Sequence, residues 1–274
     1  MWLLTQLQLY KLLRRYRRDR DLDEFMNDPL LEDPLLRTAV SDIRSRLYSD
    51  ENRKLKQKEA EYLALQNQIN PHFLYNTLEA IRADALLADC EDIAATTEAL
   101  ATFYRYTISN IREVVTFSDE IDNVENYFTV QQCRFGDKIR MELDLQNEKL
   151  LEARMPKLIL QPLVENAIVH GLEGKLEPGT VRIRVDNSEE TLFIRVRDDG
   201  IGMSREKLLQ MNRRFENTGR EESTAPVSHR GGIALVNVNS RIQLVYGNSY
   251  GLRMYSVEGA GTECVLTMPL SFEG

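Results

Sequence analysis

Gln68-Ile69-Asn70-Pro71-His72-Phe73-Leu74-Tyr75-Asn76-Thr77-Leu78 sets a histidine directly behind a proline inside a helical pattern. A proline in a helix interior removes a backbone donor, clashes with the preceding turn and costs about 3 kcal/mol or more. A cost of that size calls for compensation. Asn76 follows His72 by one turn and Glu79 by two, so the three share one helix face. A lone histidine on a helix is more often structural than functional. One beside a helix-interior proline, with Asn and Glu stacked on its face, shifts the balance. A neutral imidazole nitrogen is a competent phosphoryl acceptor near neutral pH.

Working outward, residues 38–70 carry apolar positions at Val40, Ile43, Leu47, Leu55, Tyr62, Leu65 and Ile69 with charged and amide residues between. This spacing predicts a long helix with a narrow apolar seam, as in a coiled coil. So narrow a seam needs a partner helix, and the simplest is that of a second copy. Residues 77–88 continue as helix. Asp89, Glu91 and Asp92 suit the start of the next, which carries Ile93, Leu100, Phe103, Tyr104 and Ile108. Two such helices form an antiparallel hairpin, and two hairpins a four-helix bundle. Ser118 is a candidate cap for a third helix bearing Ile121, Val124, Tyr127 and Phe128. Upstream, Asp28-Pro29 and Asp33-Pro34 break the pattern, so residues 1–37 read as a linker behind one short amphipathic helix.

After about residue 135 the pattern turns mixed α/β. Met141, Leu143 and Leu145 alternate as in a strand. Pro156 is suited to open a helix that stops at Gly171. Val181, Ile183 and Val185, then Leu192, Ile194 and Val196, predict a hairpin turning at Asn187-Ser188. A helix over 232–246 and a second hairpin, 252–256 with 262–268, complete the body.

Three segments of this second half carry candidate chemistry. In Gln161-Pro162-Leu163-Val164-Glu165-Asn166-Ala167-Ile168-Val169-His170-Gly171, Asn166 and His170 lie one turn apart on an otherwise apolar helix. An amide oxygen is a hard ligand that suits Mg²⁺ held mainly by phosphates and water. Asp198-Asp199-Gly200-Ile201-Gly202 follows a strand, where the Asp can accept an adenine amine and the glycines admit close backbone. By itself it is equally a simple turn. Arg230-Gly231-Gly232-Ile233-Ala234 opens a helix, and glycines there expose N–H groups to phosphate. The polar stretch 204–230, with Arg213, Arg214, Arg220 and His229, reads as a lid loop beside that phosphate site.

Composition narrows the classes. A chain of 274 residues suggests about two domains, and a net charge of -8 argues against a nucleic-acid partner. Cys90, Cys133 and Cys264 lack metal-ligand or disulfide spacing, which fits a reducing compartment. No apolar run reaches the roughly 20 residues that span a bilayer. The basic cluster Lys11, Arg14, Arg15, Arg17, Arg18 and Arg20 reads by itself as a solvated helix face, and it is also what stands just inside the membrane after a spanning helix. The motifs above raise the second reading, a cytoplasmic portion with a membrane sensor upstream.

In this order the segments resemble a bacterial sensor histidine kinase of the LytS/YesM type over about residues 60–270. Residues 68–76 resemble its phosphoacceptor motif, 161–171 its N box, 198–202 its G1 box and 231–235 its G2 box. The resemblance implies a dimeric helical-hairpin phosphotransfer domain within 38–134, then a Bergerat-type α/β sandwich that binds ATP over 135–274. It makes His72 the phosphoacceptor and gives Asn166 to Mg²⁺ and Asp198 to adenine. His170, Gly200, Gly202, Arg230, Gly231 and Gly232 would line the nucleotide. Partners would be a second copy and a response-regulator receiver domain whose Asp takes the phosphoryl group. Three departures stand out. Phe73 occupies the place where many histidine kinases carry an acidic base, leaving Glu79 as a candidate; Val169 stands where a basic residue is common; and Ala234 replaces a G2 glycine. The last two raise an impaired signalling scaffold as the alternative. An ATPase of the gyrase or Hsp90 kind is disfavoured, because Pro162 sits where its Glu base would be and Glu165 points about 100° away from Asn166.

Overall fold

The computed structural model describes residues 71–109, 113–217 and 230–273. The linker, basic cluster and coiled-coil seam expected before residue 71 lie outside them, as does the question of whether Pro71 is interior to a longer helix. Among the described residues, no helix is long and apolar enough to cross a membrane.

Helix α1 (Pro71–Leu87) and helix α2 (Glu91–Ile108) form the expected hairpin. Asp89 turns the chain at φ +53°, a conformation Asp tolerates better than most side chains, and Cys90 N–H returns to the Ala85 carbonyl at 2.9 Å. Leu78, Ala85, Ala94 and Ala99 are buried between the helices, and Arg82 reaches Glu98 across them at 3.8 Å. Ile81, Leu86, Leu87 and Ile93 remain exposed, an apolar surface one hairpin cannot bury alone.

Strand β1 (Val114–Thr116) leads into helix α3 (Phe117–Phe135). The cap is Thr116 rather than Ser118. Thr116 and Asp119 make a reciprocal capping box, whereas the residue three beyond Ser118 is Ile121, which cannot return the bond. Phe117, Ile121, Val124, Tyr127 and Phe128 enter the same core as the sheet residues, while the Tyr127 ring also meets Phe103 of α2 at 5.6 Å. By packing, the third helix therefore serves both halves of the molecule.

Pro156 does not open a helix. It ends strand β3 (Arg154–Pro156), which pairs antiparallel with β1, and helix α4 starts only at Leu160 (Leu160–Asn166). Beyond them lies a five-stranded sheet in the order β2-β4-β5-β7-β6. Its strands are β2 (Ile139–Leu145), β4 (Gly179–Asn187), β5 (Thr191–Asp198), β6 (Gly251–Val257) and β7 (Gly261–Pro269). Only β2 and β4 pair in parallel. Period-2 alternation sorts the faces. Val181, Ile183, Val185, Leu192, Ile194, Val196, Leu266 and Met268 bury against the helical layer. Arg182, Arg184 and Arg195 face outward and pair with Glu142, Asp144 and Asp186. This is the expected two-layer α/β sandwich.

The stretch expected to be a lid loop is helical in its first half. Ser204 caps α5 (Arg205–Glu216), which buries Met211 and Phe215; residues 218–229 lie outside the described ones. Asn212 donates to the Met254 carbonyl and accepts from Met254 N–H, both at 2.9 Å, along the outer edge of β6. Asn239, on helix α6 (Arg230–Tyr246), accepts from Leu252 N–H at 2.8 Å and donates to the Phe215 carbonyl. Two asparagines thus dock α5 and α6 onto the sheet edge.

Candidate functional site

Helix α4 does not stop at its end but passes into π geometry over Ala167–Leu172. Such widened turns concentrate at functional sites because they shift side chains out of helical register. Asn166 ends the α-helical part and His170 lies within the π turn, and both line one cleft. Gly171, expected as a helix stop, lies inside the π turn instead. A Cβ there would stand 2.5 Å from the Asp198 carboxyl group, so the glycine makes room for that acid.

Asp198 ends β5 almost completely buried, with 2% of its surface exposed. Its Oδ1 accepts from Gly200 N–H at 2.9 Å and Thr262 N–H at 3.2 Å. Both backbone donors converge on one oxygen, so Oδ2 is the atom available to a ligand in the cleft. Burial pushes the Asp198 carboxyl up to about 6; the two backbone N–H groups oppose the rise, and neighbouring Asp199 adds to it. It is ionised at pH 7, but its charge is costly there.

The glycines of 198–202 also serve the fold, and Gly202 lines the cleft besides. A Cβ on Gly200 would stand 2.1 Å from the Gly171 carbonyl. Gly202 adopts φ +65°, and its Cβ would stand 2.0 Å from the Val257 carbonyl. These contacts draw the segment 198–202 between the π turn and the β6–β7 connection, which fixes the floor under Asp198. Sequence reasoning expected close ligand approach; the close approach is backbone to backbone.

A cavity of about 340 Å³ opens over this floor, with Asp198 and Thr262 at its base and Ile201 and Met203 on its walls. A second, of about 890 Å³, continues from it past Asn166, Val169 and His170 to Arg214, Gly232 and Ala234. Asn166, Val169, His170, Met203 and Lys207 line both, so one cleft runs from the buried Asp198 carboxyl to Arg214 and the first turns of α6. A buried acceptor at one end and a cation beside a helix start at the other suit an adenine nucleotide. Glu165 borders the larger cavity beside Asn166 despite pointing around the helix. Among the described residues no group of three or more His, Cys, Asp or Glu side chains gathers to hold a metal. Another cavity, of about 850 Å³, lies against β6 on the outer sheet face, away from all the expected residues.

Gly232 and Ala234 line the cleft; Arg230 and Gly231 occupy the first turn of α6, and the Arg230 side chain lies outside the described residues. Lys207 and Thr262 are cleft residues that sequence reasoning missed. The signal for Lys207 was Ser204 followed by Leu208, Met211 and Phe215 at helical spacing, masked by a run of charges. On the hairpin, His72 is exposed, and Asn76 Nδ2 lies 3.3 Å from its Nδ1. Glu79 is engaged by Arg82 at 3.1 Å and stands two turns, about 10 Å along the axis, from His72. It is beyond direct proton transfer to the imidazole of its own chain.

Residues 60–139 match the family described as histidine kinase, and residues 152–271 that of histidine kinase-, DNA gyrase B- and HSP90-like ATPases. The chain is 39% identical to Sensor histidine kinase YesM of Bacillus subtilis over 77% of its own length and 34% of that protein. It is 34% identical to Sensor histidine kinase YpdA of Escherichia coli over 77% of its length and 34% of that protein. Sensor protein LytS of B. subtilis is 28% identical over 78% of this chain and 34% of its own. The chain therefore spans about a third of the length of these curated relatives. Both domain matches, in this order and joined to these relatives, make the chain a member of the bacterial sensor histidine kinases of the LytS/YesM type.

Proposed function

We propose that the chain is the kinase portion of a two-component sensor. It binds ATP in the cleft, receives the γ-phosphoryl group on His72 and passes it to an Asp of a response-regulator receiver domain. The observation that carries this is the buried Asp198 carboxyl in a cleft that runs past Asn166 and Lys207 to Arg214 and the first turns of α6. Asp198 Oδ2 accepts the adenine amine. Asn166 offers its amide oxygen to Mg²⁺. Lys207 and the first N–H groups of α6 face the phosphates, where fixed positive groups stabilise charge developing in transfer. ATP with Mg²⁺ supplies the phosphoryl group.

At the acceptor, Asn76 sets the tautomer of His72. An amide can turn either its nitrogen or its oxygen to the ring. The oxygen, accepting from Nδ1–H, leaves the lone pair on Nε2 for in-line attack. The exposed apolar residues of the hairpin favour a homodimer, two hairpins closing a four-helix bundle. A membrane sensor upstream and a cytoplasmic position for this portion belong to the same proposal. Phosphorylation with radioactive ATP tests it: base-stable, acid-labile label is expected on the wild type and none on His72→Gln, which should still bind ATP. Full labelling of His72→Gln overturns the assignment. Rapid phosphate release without any phosphoprotein would favour the ATPase.

A further inference from the structure

The junction between the hairpin and the α/β body holds a buried polar cluster that the chemistry above leaves unused. Glu120 of α3 has no exposed surface. Its Oε1 accepts from Leu158 N–H and from the Tyr106 hydroxyl, both at 2.6 Å; its Oε2 accepts from Ile159 and Leu160 N–H, both at 2.8 Å. Three of these donors are the N–H groups of the two residues leading into α4 and of its first residue, and α4 is the helix that ends in Asn166. The fourth comes from α2. Glu120 is therefore an N-cap supplied from forty residues away, and Tyr106 is the hairpin's hold upon it.

The setting is specific. Leu158 sits at φ +58°, a conformation that costs a side chain such as Leu on the order of 1 kcal/mol or more, and the bond from its N–H to Glu120 holds it there. Lys157, almost wholly buried, donates to Ser109 just past the end of α2, lies 3.5 Å from Glu113 and stacks 4.2 Å over the Tyr106 ring. A buried carboxylate with four donors is a rigid joint, since charge-assisted bonds in a dry site are the strong ones.

The joint also lies at the acceptor end of the hairpin. Arg82 and Glu98 mark one level of the two antiparallel helices. Ten residues back from Arg82 stands His72, and ten on from Glu98 stands Ile108, so equal rise brings His72 level with the turn that holds Tyr106. Arg105 acts electrostatically on Tyr75, one turn from His72, in the same register. From the other side of the joint, α4 runs two turns, about 10 Å, to Asn166.

We propose that Tyr106 and Glu120 are positioning residues that fix the nucleotide helix α4 to the phosphoacceptor end of the hairpin, so that a shift of α2 is delivered to Asn166 and His170 as a movement of their helix. This rests on the kinase function proposed above. The joint acts on transfer between the two halves and not on nucleotide affinity.

Tyr106→Phe is the test, because it removes one hydroxyl while keeping the ring over Lys157, the Lys157–Ser109 tether and three of the four donors to Glu120. The full chain is expected to bind ATP within about twofold of wild type and to stay folded at the assay temperature, with the melting temperature lowered by only a few degrees for the one lost bond. His72 labelling at saturating ATP should be at least about tenfold slower, the factor one hydrogen bond to a charged group commands. Amides 158–166 should exchange hydrogen faster. The double variant Tyr106→Phe with Glu120→Gln should label no more slowly than Glu120→Gln alone, since both act through one contact. Wild-type labelling in Tyr106→Phe overturns the proposal. So does a loss of ATP affinity and melting temperature that accounts for the slower labelling, because Tyr106 is then only structural. If the wild-type chain forms no phosphohistidine, the kinase function fails, and exchange decides the joint alone: unchanged exchange at 158–166 overturns it, faster exchange sustains it.

Discussion

Asp198→Asn separates two contributions that one carboxylate makes. The folded chain holds this acid at about 6 against an ordinary value of 3.8. Because the folded pKa is raised, the native state binds a proton more readily than the unfolded chain, and the ionised form costs stability above pH 6. That penalty fades as pH falls from 6 towards 4 and is gone below it. A rise of this size corresponds to about 3 kcal/mol at pH 7. An amide removes this penalty, in which the bonds from Gly200 and Thr262 N–H to the charged oxygen are already counted. The gain is up to about 3 kcal/mol, as much as roughly 10 °C in melting temperature for a body of this size. Binding moves the other way. The Asn oxygen must stay with the two backbone donors, so its NH₂ faces the adenine amine, donor against donor. A lost charge-assisted bond and an unmatched buried donor together cost about 3–6 kcal/mol, or 10²–10⁴-fold in Kd. Melting curves between pH 4 and 8, with titration by a fluorescent ATP analogue, read both. Wild-type affinity should weaken below pH 6 as the carboxylate takes up its proton, while the variant stays weak and flat. A variant that binds ATP as wild type does, with an unchanged melting temperature at pH 7, refutes the adenine contact and the cost of the buried charge together.

Gly200→Ala should lower the melting temperature sharply, by several kcal/mol of stability, since its methyl meets the Gly171 backbone carbonyl at 2.1 Å and the Asp198 carboxyl at 2.7 Å. A soluble variant melting within about 2 °C of wild type would contradict the packed floor. Lys207→Met should weaken ATP more than adenosine, by about tenfold, as expected for a phosphate-facing cation; equal loss for both places the lysine elsewhere. Glu79→Gln should label His72 within about twofold of wild type, because Arg82 holds Glu79 two turns away. A hundredfold loss would restore Glu79 as the base. Arg182→Ala should leave the midpoint of chemical denaturation essentially where it is, its pair with Glu142 being exposed on both sides; a clear fall would give that surface pair a structural role.

The sheet was legible where one face is buried, because Val181-Ile183-Val185 and Leu192-Ile194-Val196 alternate without interruption. The hairpin and the Asp198, Asn166 and His170 constellation were legible for the same local reasons. What escaped is non-local. Pro156 has the composition of a helix start, yet a three-residue pairing with β1 claims it. Helix α5 hides behind four cations and two acids in twelve residues, since its apolar side is only Leu208, Met211 and Phe215. The π turn leaves no compositional mark, and its register shift answers to Asp198, which lies in a different strand well down the chain. Glu120 was equally unreadable: an acidic residue in the first turn of α3 looks like a helix-dipole partner, and nothing local shows that it caps another helix.

The asparagines on the β6 edge bear on how such a protein stays in solution. In the homodimer proposed above, two α/β bodies carried on one helical bundle would hold their sheets at an effective concentration near the millimolar range. An outer strand with open N–H and C=O groups would, at that concentration, be a template for a neighbouring strand and then for a fibre. Asn212 takes both outward groups of Met254, and Asn239 takes the N–H of Leu252. Replacing Asn212 with Leu would fill the same space and leave that edge ready to polymerise.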